Sequence, residues 1–122
     1  MAEVININEY FKKFSDTYSP KIVGKVNGQH IKIVRLEGDK VPWHIHDNED
    51  EMFFVIEGIL DIMEKGKTIT LHKDEFYIVQ KGIEHRVVPN GHVKLILVEP
   101  AGIAHTGDVN SEITKKDYDT LI

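Results

Sequence analysis

Two periodicities divide the chain. Over residues 6–14 the apolar positions Ile7, Tyr10, Phe11 and Phe14 recur at three- and four-residue steps, which lines one face of a helix. Asn6 stands where a cap would, with Glu9 three places on as in a capping box. A short helix is predicted there, its apolar stripe lying on the open end or edge of a sheet. From Lys21 onward the pattern becomes short runs rich in Val, Ile, Thr and aromatics, broken by turn residues at the intervals of an all-β sandwich or barrel. Strands are predicted over 21–26, 29–36, 41–46, 51–57, 59–64, 67–71, 75–79, 84–88 and 93–99. Asn27-Gly28, Glu37-Gly38-Asp39 and Lys65-Gly66 are read as turns, the first of a hairpin type that accepts positive φ. No long helical pattern interrupts these strands, which argues against a parallel sheet with crossover helices. After Glu99-Pro100 small and turn-forming residues take over, and Thr114 could cap a last short helix with Asp117 at its third position. The expectation is one domain over 1–122, with a β core at about 21–100 and an extension at 101–122.

Alternation also assigns faces. If Glu51 points inward, Phe53 and Val55 do too, leaving Met52, Phe54 and Ile56 outside; both faces of that strand are then apolar. A second layer or a subunit contact would bury the outer face, and a symmetric homodimer is expected. Phe53, Val55, Leu60, Ile62, Ile69 and Ile78 are expected to line the interior, and Trp43 to face away from it.

Composition narrows the chemistry. A formal charge of −5, from 15 basic and 20 acidic side chains, disfavours a nucleic-acid partner, because affinity for phosphate backbones rests on clustered Lys and Arg. The chain has no cysteine, so disulfides, thiolate metal sites and cysteine nucleophiles drop out together, and any metal must sit on nitrogen and oxygen. No apolar run approaches the roughly 20 residues of a membrane helix, and the start lacks the basic and apolar segments of an export signal. No membrane association and a cytoplasmic location are the expectations.

The chemically suggestive stretch runs from Gly38 to Gly58. On an extended strand His44 and His46 project from the same face and can reach one ion together. Glu51 follows after a polar turn, at the start of a returning apolar strand that would bring its carboxylate beside the two imidazoles. A fourth donor is needed, and His85 is the candidate.

Gly38, five residues, His44-x-His46, four residues, Glu51, six residues and Gly58 match the first sequence motif of the cupin superfamily position for position. Gly82 followed by two residues and His85 stands where the second motif places its last metal ligand. The 15 residues between Gly58 and Asp74 resemble the short spacing of small single-domain, type 2 members. Asp74 replaces the usual Gly, Gln80 the usual Pro, and Pro89 with Asn90 stands where Asn ends the motif; all three affect turn and strand-end geometry, and none removes a ligand. The resemblance covers roughly residues 30–100 and implies an antiparallel jelly-roll barrel holding one divalent transition-metal ion (Fe, Mn, Ni, Zn, Co or Cu) on His44, His46, Glu51 and His85.

Such a donor set can leave coordination positions open for an oxygen-bearing small molecule. The resemblance then implies a metal-dependent enzyme acting on a small polar metabolite, of oxygenase, isomerase or lyase type. The alternative is a non-catalytic barrel that binds or senses a small molecule. Glu57, Tyr77 and Gln80 are further candidates for orienting a ligand or moving a proton. His30, His72, His92 and His105 read as surface residues.

Overall fold

The computed structural model describes residues 3–102, 106–107, 111, 113–114 and 118–122. Helix α1 is shorter than its apolar stripe, spanning only Ile7–Phe11; the Asn6 side chain accepts the Glu9 N–H at 3.0 Å and closes its first turn. Phe11 is fully buried and packs with Val23 and Ile33, while Ile7, Tyr10 and Phe14 lean on the same cluster. The stripe therefore covers a sheet face, as its periodicity requires.

The strands are β1 (Lys21–Val26), β2 (Gln29–Leu36), β3 (Glu51–Glu64), β4 (Lys67–Leu71), β5 (Phe76–Val79), β6 (His85–Pro100) and β7 (Asp119–Thr120). They form one seven-stranded sheet in the order β4-β3-β6-β2-β1-β7, with β5 also paired to β3. This is the antiparallel jelly-roll architecture, although the hydrogen-bonded path does not close into a ring. β7 runs parallel to β1. The predicted C-terminal helix has no counterpart at Asp119 and Thr120, which are strand; residues 115–117, where it would begin, lie outside the described residues, as does His105.

Four predicted strands merge into two long ones. β3 runs through Gly58 and β6 through Gly91, with register irregularities in their pairing between Val55 and Ile59. Bulges bend a strand and sharpen its twist, so each long strand serves both halves of the fold. The first half of β3 pairs with β5 and the second half of β6, while its second half pairs with β4 and the first half of β6. Gly58 sits at the bend with φ +91°, where a Cβ would lie 2.5 Å from the His92 carbonyl oxygen; only glycine fits. Beyond His44, the first half of β6 has no other neighbour on its outer side among the described residues, which suits Pro89. Asp74 takes φ +71°, so the turn survives without its glycine.

The predicted strand over 41–46 is reduced to a single bridge in which His44 and His85 exchange both backbone hydrogen bonds at 2.9 Å. The core contains Phe53, Val55, Leu60 and Ile62, all buried, with Ile69 packed against it. Ile78 does not join them: the register sets Tyr77 opposite Phe53 and Val79 opposite Glu51, which turns Ile78 outward to 45% exposure. Trp43, at 38% exposure, faces outward as expected. Among the described residues no helix is long and apolar enough to cross a membrane.

Candidate metal centre

Each donor is delivered by a different backbone device. Glu51 opens β3 and His85 opens β6, so both point inward at the same end of the fold. His44 is fixed to His85 by the two-bond bridge. His46 lies two residues on, its carbonyl accepting the Gly82 N–H at 2.8 Å. All four side chains are buried, and one ligand atom from each lies within 4.8 Å of the other three.

The rings are oriented by their outer nitrogens. His44 Nδ1 lies 2.8 Å from the Pro42 carbonyl oxygen and His85 Nδ1 2.9 Å from that of Ile83, so each donates Nδ1–H to a carbonyl two residues upstream. His46 Nδ1 lies 3.2 Å from Glu49 Oε1. With the protons on Nδ1, all three Nε2 atoms keep their lone pairs for the centre. Those three Nε2 atoms and Glu51 Oε1 are buried and make no hydrogen bond. Buried polar atoms are rarely left so, and four converging on one point fit a cation. His46 Nε2 and His85 Nε2 stand 3.4 and 3.5 Å from Glu51 Oε1, the spacing of neighbouring donors about an ion bound at ~2.1 Å.

Electrostatics favour the ligating form at His44 and Glu51. Burial pushes the His44 pKa down to about 4, keeping its ring neutral. Burial acts to lower His46, but the adjacent carboxylates of Glu51 and Glu49 outweigh it and raise its pKa. Burial would raise Glu51, yet the adjacent His46 and His85 imidazoles outweigh it and hold the carboxyl well below its usual range. Three neutral imidazoles and one carboxylate carry a single negative charge, suited to a divalent ion. The donor set fits the ion that the sequence motif implies.

Behind Glu51 lies a pair that the sequence reading did not identify. Lys32 Nζ donates to Glu99 Oε1 at 2.9 Å with both side chains at 0% exposure, and the ammonium sits 3.6 Å from the centre of the Tyr118 ring. The register that pairs Met52 with Val98 sets Glu51 beside Glu99 one step on. Burial, then the charge of Glu51, raises the Glu99 carboxyl well above its usual range, against the pull of Lys32. The signal was present in the alternation: Lys32 shares the inward face of Val34 and Leu36, and Glu99 that of Val93, Leu95 and Leu97.

Other candidate residues lie elsewhere. Glu57 is on the outer face with its carboxylate 3.6 Å from Lys94 Nζ. Tyr77 donates its hydroxyl to Glu64 at 3.0 Å, and Gln80 is exposed. His72 is exposed; His30 and His92 are half-buried. Gly107, by contrast, lies against the centre: a Cβ there would fall 2.4 Å from the Ile45 carbonyl oxygen and 3.0 Å from His44 Cδ2. A cavity of about 30 Å³ adjoins His44 and Glu51.

Known proteins share this fold. A family model described as a cupin domain matches residues 33–99. The crystal structure of a cupin-2 domain containing protein from Shewanella frigidimarina is similar at 37% identity and a TM-score of 0.77, covering 80% of this chain and 94% of that one. A Neisseria meningitidis protein of known structure is similar at 27% identity and a TM-score of 0.72, covering 80% and 99% of the two chains. Protein YdbB of Bacillus subtilis is 28% identical over 87 residues, 70% of this chain and 76% of that protein.

Proposed function

The chain belongs to the cupin family, and from that premise we propose that it is a metal-dependent enzyme acting on a small metabolite by oxygen insertion, isomerisation or lyase chemistry. The ion would rest on His44, His46, Glu51 and His85. What carries the reading is the convergence of three buried imidazole nitrogens and a carboxylate oxygen that no hydrogen bond satisfies. A divalent transition ion there supplies Lewis acidity and an open position for a donor oxygen of the substrate. The chain's own part is to hold that arrangement: Pro42 and Ile83 fix two imidazole tautomers, Glu49 orients the third, and the apolar walls keep bulk water out.

The test has two stages. Protein purified without added ions is assayed for bound metal; about one equivalent, lost in His46→Ala with the fold retained, supports the site. Metal-loaded protein is then screened for turnover, with dioxygen present for the iron form. Metal content unchanged in His46→Ala would refute the assignment, and bound metal without turnover would favour a non-catalytic binding barrel.

The outer face favours self-association. Phe76 and Ile78 are 56% and 45% exposed on strand β5, and Phe76 stacks on Phe54 with ring centres 6.2 Å apart. A second copy covering this patch would form a homodimer. Light scattering of Ile78→Lys should then report a monomer.

A further inference from the structure

The cavity beside the donors constrains what can enter. Its apolar walls are Val34, Leu36, Phe53, Val87, Leu95 and Leu97, inward positions of β2, β3 and β6. Among the described residues three lining residues carry polar side-chain atoms. His44 and Glu51 belong to the donor set, and the Tyr18 hydroxyl is turned away to donate to the Gly38 carbonyl. Among the described residues no Lys or Arg lines the cavity. Lys32 is engaged by Glu99 and lies over Tyr118, while Arg35 donates to the Phe11 and Phe14 carbonyls.

A ligand with a phosphate, a second carboxylate or several hydroxyls would therefore leave those groups without partners once its first donor reached the ion. Buried polar groups without partners are strongly disfavoured. Size points the same way: about 30 Å³ is room for roughly two water-sized groups. A single anionic head suits the centre, since a divalent ion on these four donors leaves one net positive charge.

We propose that the site takes a small molecule with one oxygen-bearing head and a short hydrocarbon body of about two carbons, and that it excludes sugars, polyols and phosphoesters. The head depends on the metal reading above; the apolar compartment does not.

The experiment separates the two. In cobalt-loaded protein, the visible cobalt absorption is titrated with acetate, propionate, hexanoate, 3-hydroxypropionate and ethyl phosphate. Propionate should bind tighter than acetate and hexanoate. It should exceed 3-hydroxypropionate by about ten- to a hundredfold, the discrimination an apolar pocket achieves against an added hydroxyl, and ethyl phosphate should bind weakest. Equal or tighter binding of 3-hydroxypropionate or ethyl phosphate overturns the proposal. Failure to take up cobalt refutes the metal reading instead, and the compartment is then decided in metal-free protein under xenon pressure. Xenon-induced shifts of the Val34, Leu95 and Leu97 methyl resonances support it, and their absence overturns it.

Discussion

Replacing Lys32 with Met removes the cation from a wholly buried pair while keeping most of the stem that fills its space. Glu99 then stands beside Glu51 with no counter-charge among the described residues. Deleting one member of a buried ion pair costs about 3–5 kcal/mol, and loss of the ammonium from the Tyr118 ring, 3.6 Å away, adds to it. Glu99 has an outlet, since its carboxyl already binds a proton more readily than usual through burial and the charge of Glu51. Taking up that proton relieves part of the penalty, so the expected loss near neutral pH is about 3 kcal/mol. The folded variant binds a proton at Glu99 that the unfolded chain has released above its ordinary carboxyl pKa, so acidification favours the folded variant and the penalty shrinks. Urea unfolding of metal-free protein and variant at about pH 7.5 and about pH 5.5 measures both quantities. A loss under about 1 kcal/mol at the higher pH, or one that grows toward the lower, would refute the reasoning. Adding Glu99→Leu should recover much of the stability, because a buried pair replaced by apolar groups is often neutral or better.

Four further outcomes are expected. Gly107→Ala should weaken metal affinity at least tenfold by isothermal titration, because its Cβ must displace the His44 ring or the Ile45 carbonyl; unchanged affinity would count against the packing at this point. Gly58→Ala should lower stability by about 2–4 kcal/mol in chemical denaturation, combining a positive φ with the His92 carbonyl 2.5 Å away. His44, whose pKa falls from 6.5 to about 4 on burial, contributes stability that is complete above about pH 6.5 and lost as the pH falls toward 4, about 3 kcal/mol in all. Metal retention should fail earlier in an acid titration, because the raised pKa of His46 makes it the first of the two rings to protonate; metal held unchanged well below pH 6 would oppose this order.

The donor set was legible because its signal is local. His44 and His46 are two apart, Glu51 begins an apolar run, and the Gly58 and Gly82 spacings fall where the fold bends and turns. The Lys32–Glu99 pair is separated by 67 residues, and only the register of β2 on β6 makes two polar residues inward neighbours. Ile78 was misplaced because period two fixes a face only once one residue's direction is known, and the turn at Asp74 set β5 one step away from the assumed phase. The join of 51–57 with 59–64 was hidden because Gly58 reads as a stop in sequence, yet in the fold it is the point at which one strand bends and continues.

The two-bond bridge between His44 and His85 has a consequence for how the centre could change. Main-chain atoms clamp these positions together, and main-chain atoms are the same for every amino acid except proline. The scaffold would thus tolerate a rewritten ligand sphere, with Gln or Asp at either position offering oxygen in place of nitrogen while the socket stays in register. Altered preference among ions would then be reachable by single replacements without a new backbone.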